Sequence, residues 1–320
     1  MMKKILLPCL LAAAGLLNAS GQEREEMLNC GDMDRWLTRD VKESLVIGGN
    51  HKILHEVGPE KVIEGDEPLI FNASSPWRTS NVMAKVSGVT KCSTSVFPEV
   101  RGHGKCVRME TLVERVKVLG LINISVLAGG SIYLGGVDEP IKGTKNPLGK
   151  LIMGVPFTKR PAALRFDYKT KLTGEPDRKK ITGFGRQETV AGPDYPEVYM
   201  VLQKRWEDAD GNVYAKRVAT AIRRFTKTQP DWVNDYTVKL EYGDISGKKN
   251  LADIEQLKND DPYYTRNSRG EMVPIREIGW AASDETPTHV VLRFSSSHGG
   301  AYIGSPGNKF WIDNVRFVYE

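Results

Sequence analysis

Beyond its first two dozen residues this sequence has no apolar run long enough to cross a bilayer as a helix. It has no CxxC pair and no His/Cys cluster at zinc-ligand spacing, so a zinc site is not expected. Neither a P-loop nor a dinucleotide-type glycine pattern falls between a strand and a helix, which removes the common nucleotide-binding frames. No G-x-S-x-G elbow is present, and Ser295-Ser296-Ser297-His298 has the composition of a loop rather than of a nucleophile site. Charge of one sign is also missing. The formal net charge is +5, and +3 once Lys3 and Lys4 are set aside, too little to argue for nucleic acid. Cysteine is sparse, with four in 320 residues.

What is present begins with an address. Lys3 and Lys4 precede an apolar stretch, 5–17, and Ala19 and Gly21 have the small-residue spacing of a cleavage site before Gln22. That is the pattern of a secretory signal peptide over 1–21. Pro8 stands before Cys9 where lipidation requires a small residue, which argues against a lipoprotein. The expected product is therefore exported, periplasmic or secreted, and without a membrane span. Export permits disulfides, and Cys92 and Cys106 are spaced to close a short loop, with Cys30 left over. The alternative is three unpaired thiols.

The body of the chain, 22–320, alternates apolar and polar residues at a period of two in many short stretches. Strands are expected near 44–47, 52–57, 105–111, three times within 114–134, and at 161–170, 197–206, 213–225 and 236–242. One helix is expected near 250–257, where Asn250 is a candidate cap and Leu251, Ile254 and Leu257 share a face. No βαβ alternation, repeat or linker is visible. The expected fold is all-β: an antiparallel two-sheet β-sandwich of jelly-roll type, one domain, with at most one or two short helices.

The last thirty residues carry the sharpest pattern. Val290, Leu292 and Phe294 fall on one face of a strand, and Val291, Arg293 and Ser295 on the other. In the final strand Trp311, Asp313, Val315, Phe317 and Tyr319 share one parity. An aspartate among apolar neighbours cannot stay buried, charged and unpaired without a cost of several kcal/mol. Either a bulge at Asp313-Asn314 swings it outward, or it faces a cation.

Candidate ligand residues lie in loops and at strand edges. A flat aromatic ring in a loop can receive the apolar face of a ligand, while a ligand's hydroxyls need polar partners. Trp77 beside Arg78 and Asn81, behind Ser74-Ser75-Pro76, offers both. Arg160, Trp280 and Tyr302 are further candidates. Trp77 also has a second reading, as a core residue. A hydrolase would need two facing carboxylates, for which Glu110, Asp167, Asp194 and Glu197 are available.

Several of these stretches resemble a known family. They are Pro76-Trp77-Arg78-Thr79-Ser80-Asn81, Gly104-Lys105-Cys106-Val107-Arg108-Met109-Glu110-Thr111, the run 154–169 from Gly154-Val155-Pro156-Phe157 to Phe166-Asp167-Tyr168-Lys169, and the C-terminal block. Together they are similar to the "putative carbohydrate metabolism domain" family of exported proteins from glycan-using bacteria. The resemblance implies a β-sandwich related to carbohydrate-binding modules, with a poly- or oligosaccharide as partner and no catalytic residues to carry over. It points first to non-catalytic carbohydrate binding. A glycoside hydrolase using paired carboxylates is the first alternative and a structural surface protein the second. The two chain ends are also similar to the terminal strands of jelly-roll modules that hold a structural calcium. On that similarity Asp34 and Asp313 are the matching metal ligands.

Overall fold

The computed structural model describes residues 23–118, 122–143, 145–183 and 187–320. The expected signal peptide and Cys9 lie outside them. Among the described residues no helix is long and apolar enough to cross a membrane.

Two large sheets pack face to face, as the alternation requires. The first has eight strands and runs Thr182–Gly183, Ile122–Gly129, Gly104–Val118, Lys309–Tyr319, Ala163–Lys171, Gln229–Lys239, with Arg24–Met27 and Val96–Arg101 pairing off that path. The second has ten, and its main path runs Leu151–Met153, Ser131–Val137, His289–Ser295, Glu197–Glu207, Val213–Arg224, Met272–Trp280, Tyr264–Arg266. Among the described residues the strands pair antiparallel apart from Val213–Arg224 with Met272–Trp280 and, in a small outlying sheet, Trp36–Lys42 with Lys61–Glu64; a single parallel bridge joins Ala84 to Ile141.

Residues of one parity from each sheet meet in the main core. Met109, Leu164, Phe166, Phe310 and Ile312 come from the first sheet, and Val198, Met200, Leu202, Leu292 and Phe294 from the second. Phe166, Phe294 and Phe310 make edge-on or tilted ring contacts at centroid separations of 5.0–6.2 Å, the arrangement aromatic quadrupoles favour. The opposite parity of the ten-stranded sheet is covered as well. Tyr133, Tyr199, Val201, Val291 and Tyr263 form a second, smaller core on its outer face. A strand buried on both faces shows no alternation of burial, and Glu197–Gln203 is buried at every position.

Local expectations change in four places. Residues 44–47 make a single 3-10 turn, Leu45–Ile47, rather than a strand. Near 250–257 the expected helix shrinks to the 3-10 turn Asp253–Glu255. Asn250 takes a left-handed φ of 59° instead of capping, and the backbone N–H of Ala252 donates to Glu255 Oε2 at 2.7 Å. Trp77–Thr79 is a strand paired with Ser131–Val137, not a loop. Finally, the inward parity of the last strand switches. Phe310 and Ile312 point into the core, then Val315 and Phe317 do. Between them Asn314 takes φ 51°, and the register against Ala163–Lys171 shifts. This is the bulge that the buried-aspartate argument left as one of two outcomes.

Candidate functional site

The bulge turns Asp313 away from the core and onto an arginine. Arg101 Nη1 donates to Asp313 Oδ2 at 2.6 Å and to Asp167 Oδ2 at 2.8 Å, while its guanidinium lies 3.9 Å over the Trp232 ring. Burial pushes the Asp313 carboxyl up to about 6 despite the arginine. Asp34 instead accepts a hydrogen bond from the Lys105 backbone N–H at 2.8 Å. The two aspartates thus take separate partners, and among the described residues no three His, Cys, Asp or Glu gather as a cation site. The residues do not fit the calcium that the chain-end similarity implied; Asp313 has a guanidinium as its counter-charge.

The cysteine pairing is also corrected. Cys30, Cys92 and Cys106 are buried free thiols. Cys92 packs with Val41, Leu54 and Met83 in a small core under the outlying sheet, whereas Cys106 sits opposite Glu99 in the eight-stranded sheet. Burial raises both thiols to about 12.

Trp77, Arg78 and Asn81 hold the structure together from inside. All three are fully buried, so none presents a surface to a ligand. The Trp77 indole N–H donates to the Asn29 carbonyl at 3.0 Å. Arg78 pairs with Glu56, and Arg39 with Glu139 at 2.9 Å, two buried pairs of opposite sign, with burial pushing the Glu56 carboxyl up to about 7 despite Arg78. Such charges are tolerated in a core only when paired. Asn81 donates to the carbonyls of His55 and Val96 and accepts from the N–H groups of Ser95 and Val96, using both ends of its amide. Arg160 is held by the Ser283 and Glu285 carbonyls, with its guanidinium over Tyr242. Trp280 lies at a strand end with the Arg217 guanidinium 5.5 Å from its ring. Tyr302 stands apart from these five, on the wall of a recess described below.

A cleft of about 370 Å³ opens on the outer face of the ten-stranded sheet, within the roughly 300–1,000 Å³ range of small-ligand sites. Its floor is the polar parity of three adjacent strands. Arg293 and Ser295 come from His289–Ser295, Tyr199 and Glu197 from its neighbour, and Arg224 from the next. The register sets these side by side: Tyr199 opposite Arg293, Glu197 opposite both Ser295 and Arg224. Arg224 Nε donates to Glu197 Oε2 at 2.5 Å. One wall is the segment 253–263. It is anchored from below by the buried Arg217–Glu277 pair: Arg217 Nη1 donates to the Glu255 carbonyl at 3.0 Å, and the Lys258 backbone N–H to Glu277 Oε2 at 2.8 Å. The opposite wall is the Ser/Gly loop after residue 295. Asp194, fully enclosed, pins it by accepting from Ser297 Oγ and the Ser305 N–H, both at 2.8 Å. His298 stacks on Tyr195 with centroids 5.7 Å apart. Because Ser297 bonds the aspartate rather than the imidazole, the relay a nucleophilic serine needs is not assembled.

Three residues lining this cleft each carry a buried polar atom with no protein hydrogen-bond partner: the Tyr263 hydroxyl and the Nε groups of Arg178 and Arg293. Burial raises the Tyr199 and Tyr263 phenols above their ordinary range, so both stay protonated. Of the carboxylates weighed in the sequence, Glu197 lines the cleft and Asp194 supports its wall. Glu110 and Asp167 belong to ion pairs of the eight-stranded sheet. Most of the cleft residues were not singled out from sequence. Besides Glu197, the available signal was Arg293 on the polar parity of an otherwise apolar strand.

The family model described as "putative carbohydrate metabolism domain" matches residues 60–318. No curated protein matches the chain. Among solved structures, it is similar to one described as a "putative glycoside hydrolase" from Bacteroides thetaiotaomicron. That similarity has 18% identity and a TM-score of 0.44, over 84% of this chain and 75% of the other.

Proposed function

Since this chain belongs to the "putative carbohydrate metabolism domain" family, we propose that it binds an oligosaccharide, without cleaving it, in the cleft on the outer face of the ten-stranded sheet. The observation that carries this reading is the set of unmet donors there. Tyr263 Oη, Arg178 Nε and Arg293 Nε are buried without a protein partner. These atoms have almost no accessible surface, so a ligand hydroxyl reaches them only as the side chains rotate toward the cleft; a buried donor left unpaired costs about 1–3 kcal/mol, which that contact recovers. Guanidinium groups present donors in a fixed fork, and protonated phenols add single donors, a set suited to vicinal hydroxyls. Glu197, held by Arg224, supplies acceptors together with Asp253 and Asp261 of the same lining.

The signal-peptide pattern at 1–21 adds that binding takes place after export. N-terminal sequencing of the exported chain would find Gln22 first; an intact Met1 would refute the export reading. The binding reading is tested by a glycan array followed by titration calorimetry on the best hit. Arg293→Ala and Tyr263→Phe should each weaken binding, Arg293→Ala by about tenfold or more, with near-native melting temperatures. Absence of any hit across the array would overturn it. Release of new reducing ends from a bound glycan would replace binding alone by hydrolysis, with Glu197 the first carboxylate to substitute.

A further inference from the structure

The polar cleft does not end at its apolar border. A second recess, of about 290 Å³, opens beside it. Leu148, Leu151, Arg293, Ser295, Ser297 and Gly300 line both, so the two share a wall. Their chemistry is opposite. The recess is walled by half-buried aliphatic side chains, among them Val82, Ala84, Val126, Ala128 and Ile141, with Tyr302 at one side. Lys91 and Glu114 at its margin lie 4.0 Å apart and offset each other's charge. Lys91 is further paired with Glu43 at 3.0 Å. The other charged residues of its lining are Lys150 and Arg293, the latter shared with the polar cleft. Contiguous half-exposed aliphatic surface is unfavourable in water and marks a contact site. A bare sugar, hydroxylated all round, would leave this half of the combined site wet.

We propose that the natural ligand is an amphiphilic glycan: its saccharide occupies the polar cleft and an aliphatic chain attached to it occupies the recess. This rests on the reading of the cleft as a sugar site. The branched aliphatic lining favours an alkyl or acyl chain over an aromatic or charged substituent. A chain of this kind gains affinity by methylene burial, about fourfold for each CH₂ taken out of water.

The test uses the full exported chain and the fluorescent apolar probe N-phenyl-1-naphthylamine. The probe is displaced by alkyl glucosides and alkyl maltosides of four, six and eight carbons, kept below their micelle concentrations. The expected result is a bound probe and a rise of about fourfold per methylene in displacing affinity. Ala84→Trp, which fills the recess, and Val126→Asp, which charges it, should each cut the octyl glycosides' affinity at least tenfold. Either variant suffices if it melts like the wild type. Methyl glycosides and octanoate separate the two readings. A chain-length dependence shared by octanoate and indifferent to Arg293→Ala would leave the recess standing and sink the sugar site. Sugar binding without chain-length dependence would sink the amphiphile and spare the sugar site. A dimer by light scattering that excludes the probe would show a second copy covering the recess, and would also overturn the proposal.

Discussion

Replacing Trp77 by alanine should unfold this protein more readily and leave ligand binding alone. The indole is fully buried and belongs to the same core as Trp36, Val57 and Leu134. Truncating a buried tryptophan costs about 3–5 kcal/mol, transfer and cavity terms together. Part of that is the indole N–H bond to the Asn29 carbonyl, on the order of 1 kcal/mol. For a chain this long each kcal/mol moves the melting temperature by roughly 2 °C, so the drop should be about 6–10 °C. Trp77→Phe keeps most of the ring volume and loses the bond. Its drop should be roughly a third of that. Calorimetric melts of the three proteins, with glycan titrations at 25 °C where all remain folded, measure both effects. A Trp77→Ala variant that melts like the wild type but no longer binds would refute the core assignment and put the ring against the ligand.

Three other outcomes follow from the eight-stranded sheet and the thiols. Asp313 is raised from 3.8 to about 6 in the folded state, so between those values the folded chain holds a proton that the unfolded chain has released. Stability from this group is therefore greatest below pH 4 and is lost as pH rises through 6. Asp313→Asn should remove that component from a plot of melting temperature against pH, and superimposable plots would contradict the assignment. Because Arg101 supplies the counter-charge of Asp313, melts in millimolar calcium and in chelator should coincide, and a calcium-dependent rise would show a cation site after all. Finally, with Cys30, Cys92 and Cys106 buried and free, Ellman's reagent should react slowly with the native protein. It should count every cysteine once the chain is unfolded without reductant; a deficit of two would reveal a disulfide.

The sequence by itself determined the fold class and the inward faces of individual strands, because a period of two is a local property that burial of one face enforces. Val290, Leu292 and Phe294 point inward, as their alternation requires. The opposite parity of that strand puts Arg293 and Ser295 on the cleft floor. The family match rests on the same linear order of residues.

Tertiary structure decided everything that depends on a partner far along the chain. Asp313 turns outward because Arg101, 212 residues earlier, waits on that side, and no local pattern announces it. Ser74-Ser75-Pro76 has loop composition, yet Trp77–Thr79 is drawn into a sheet by Ser131–Val137, a pairing that outweighs local propensity. Cys92 and Cys106 are close in sequence but enter different sheets, so their proximity along the chain gives no proximity in space. The cleft is assembled from segments near residues 148, 178, 197, 224, 258 and 293. A site built from six separate stretches leaves no spacing to recognise; only the order of strands in the sheet brings its donors together.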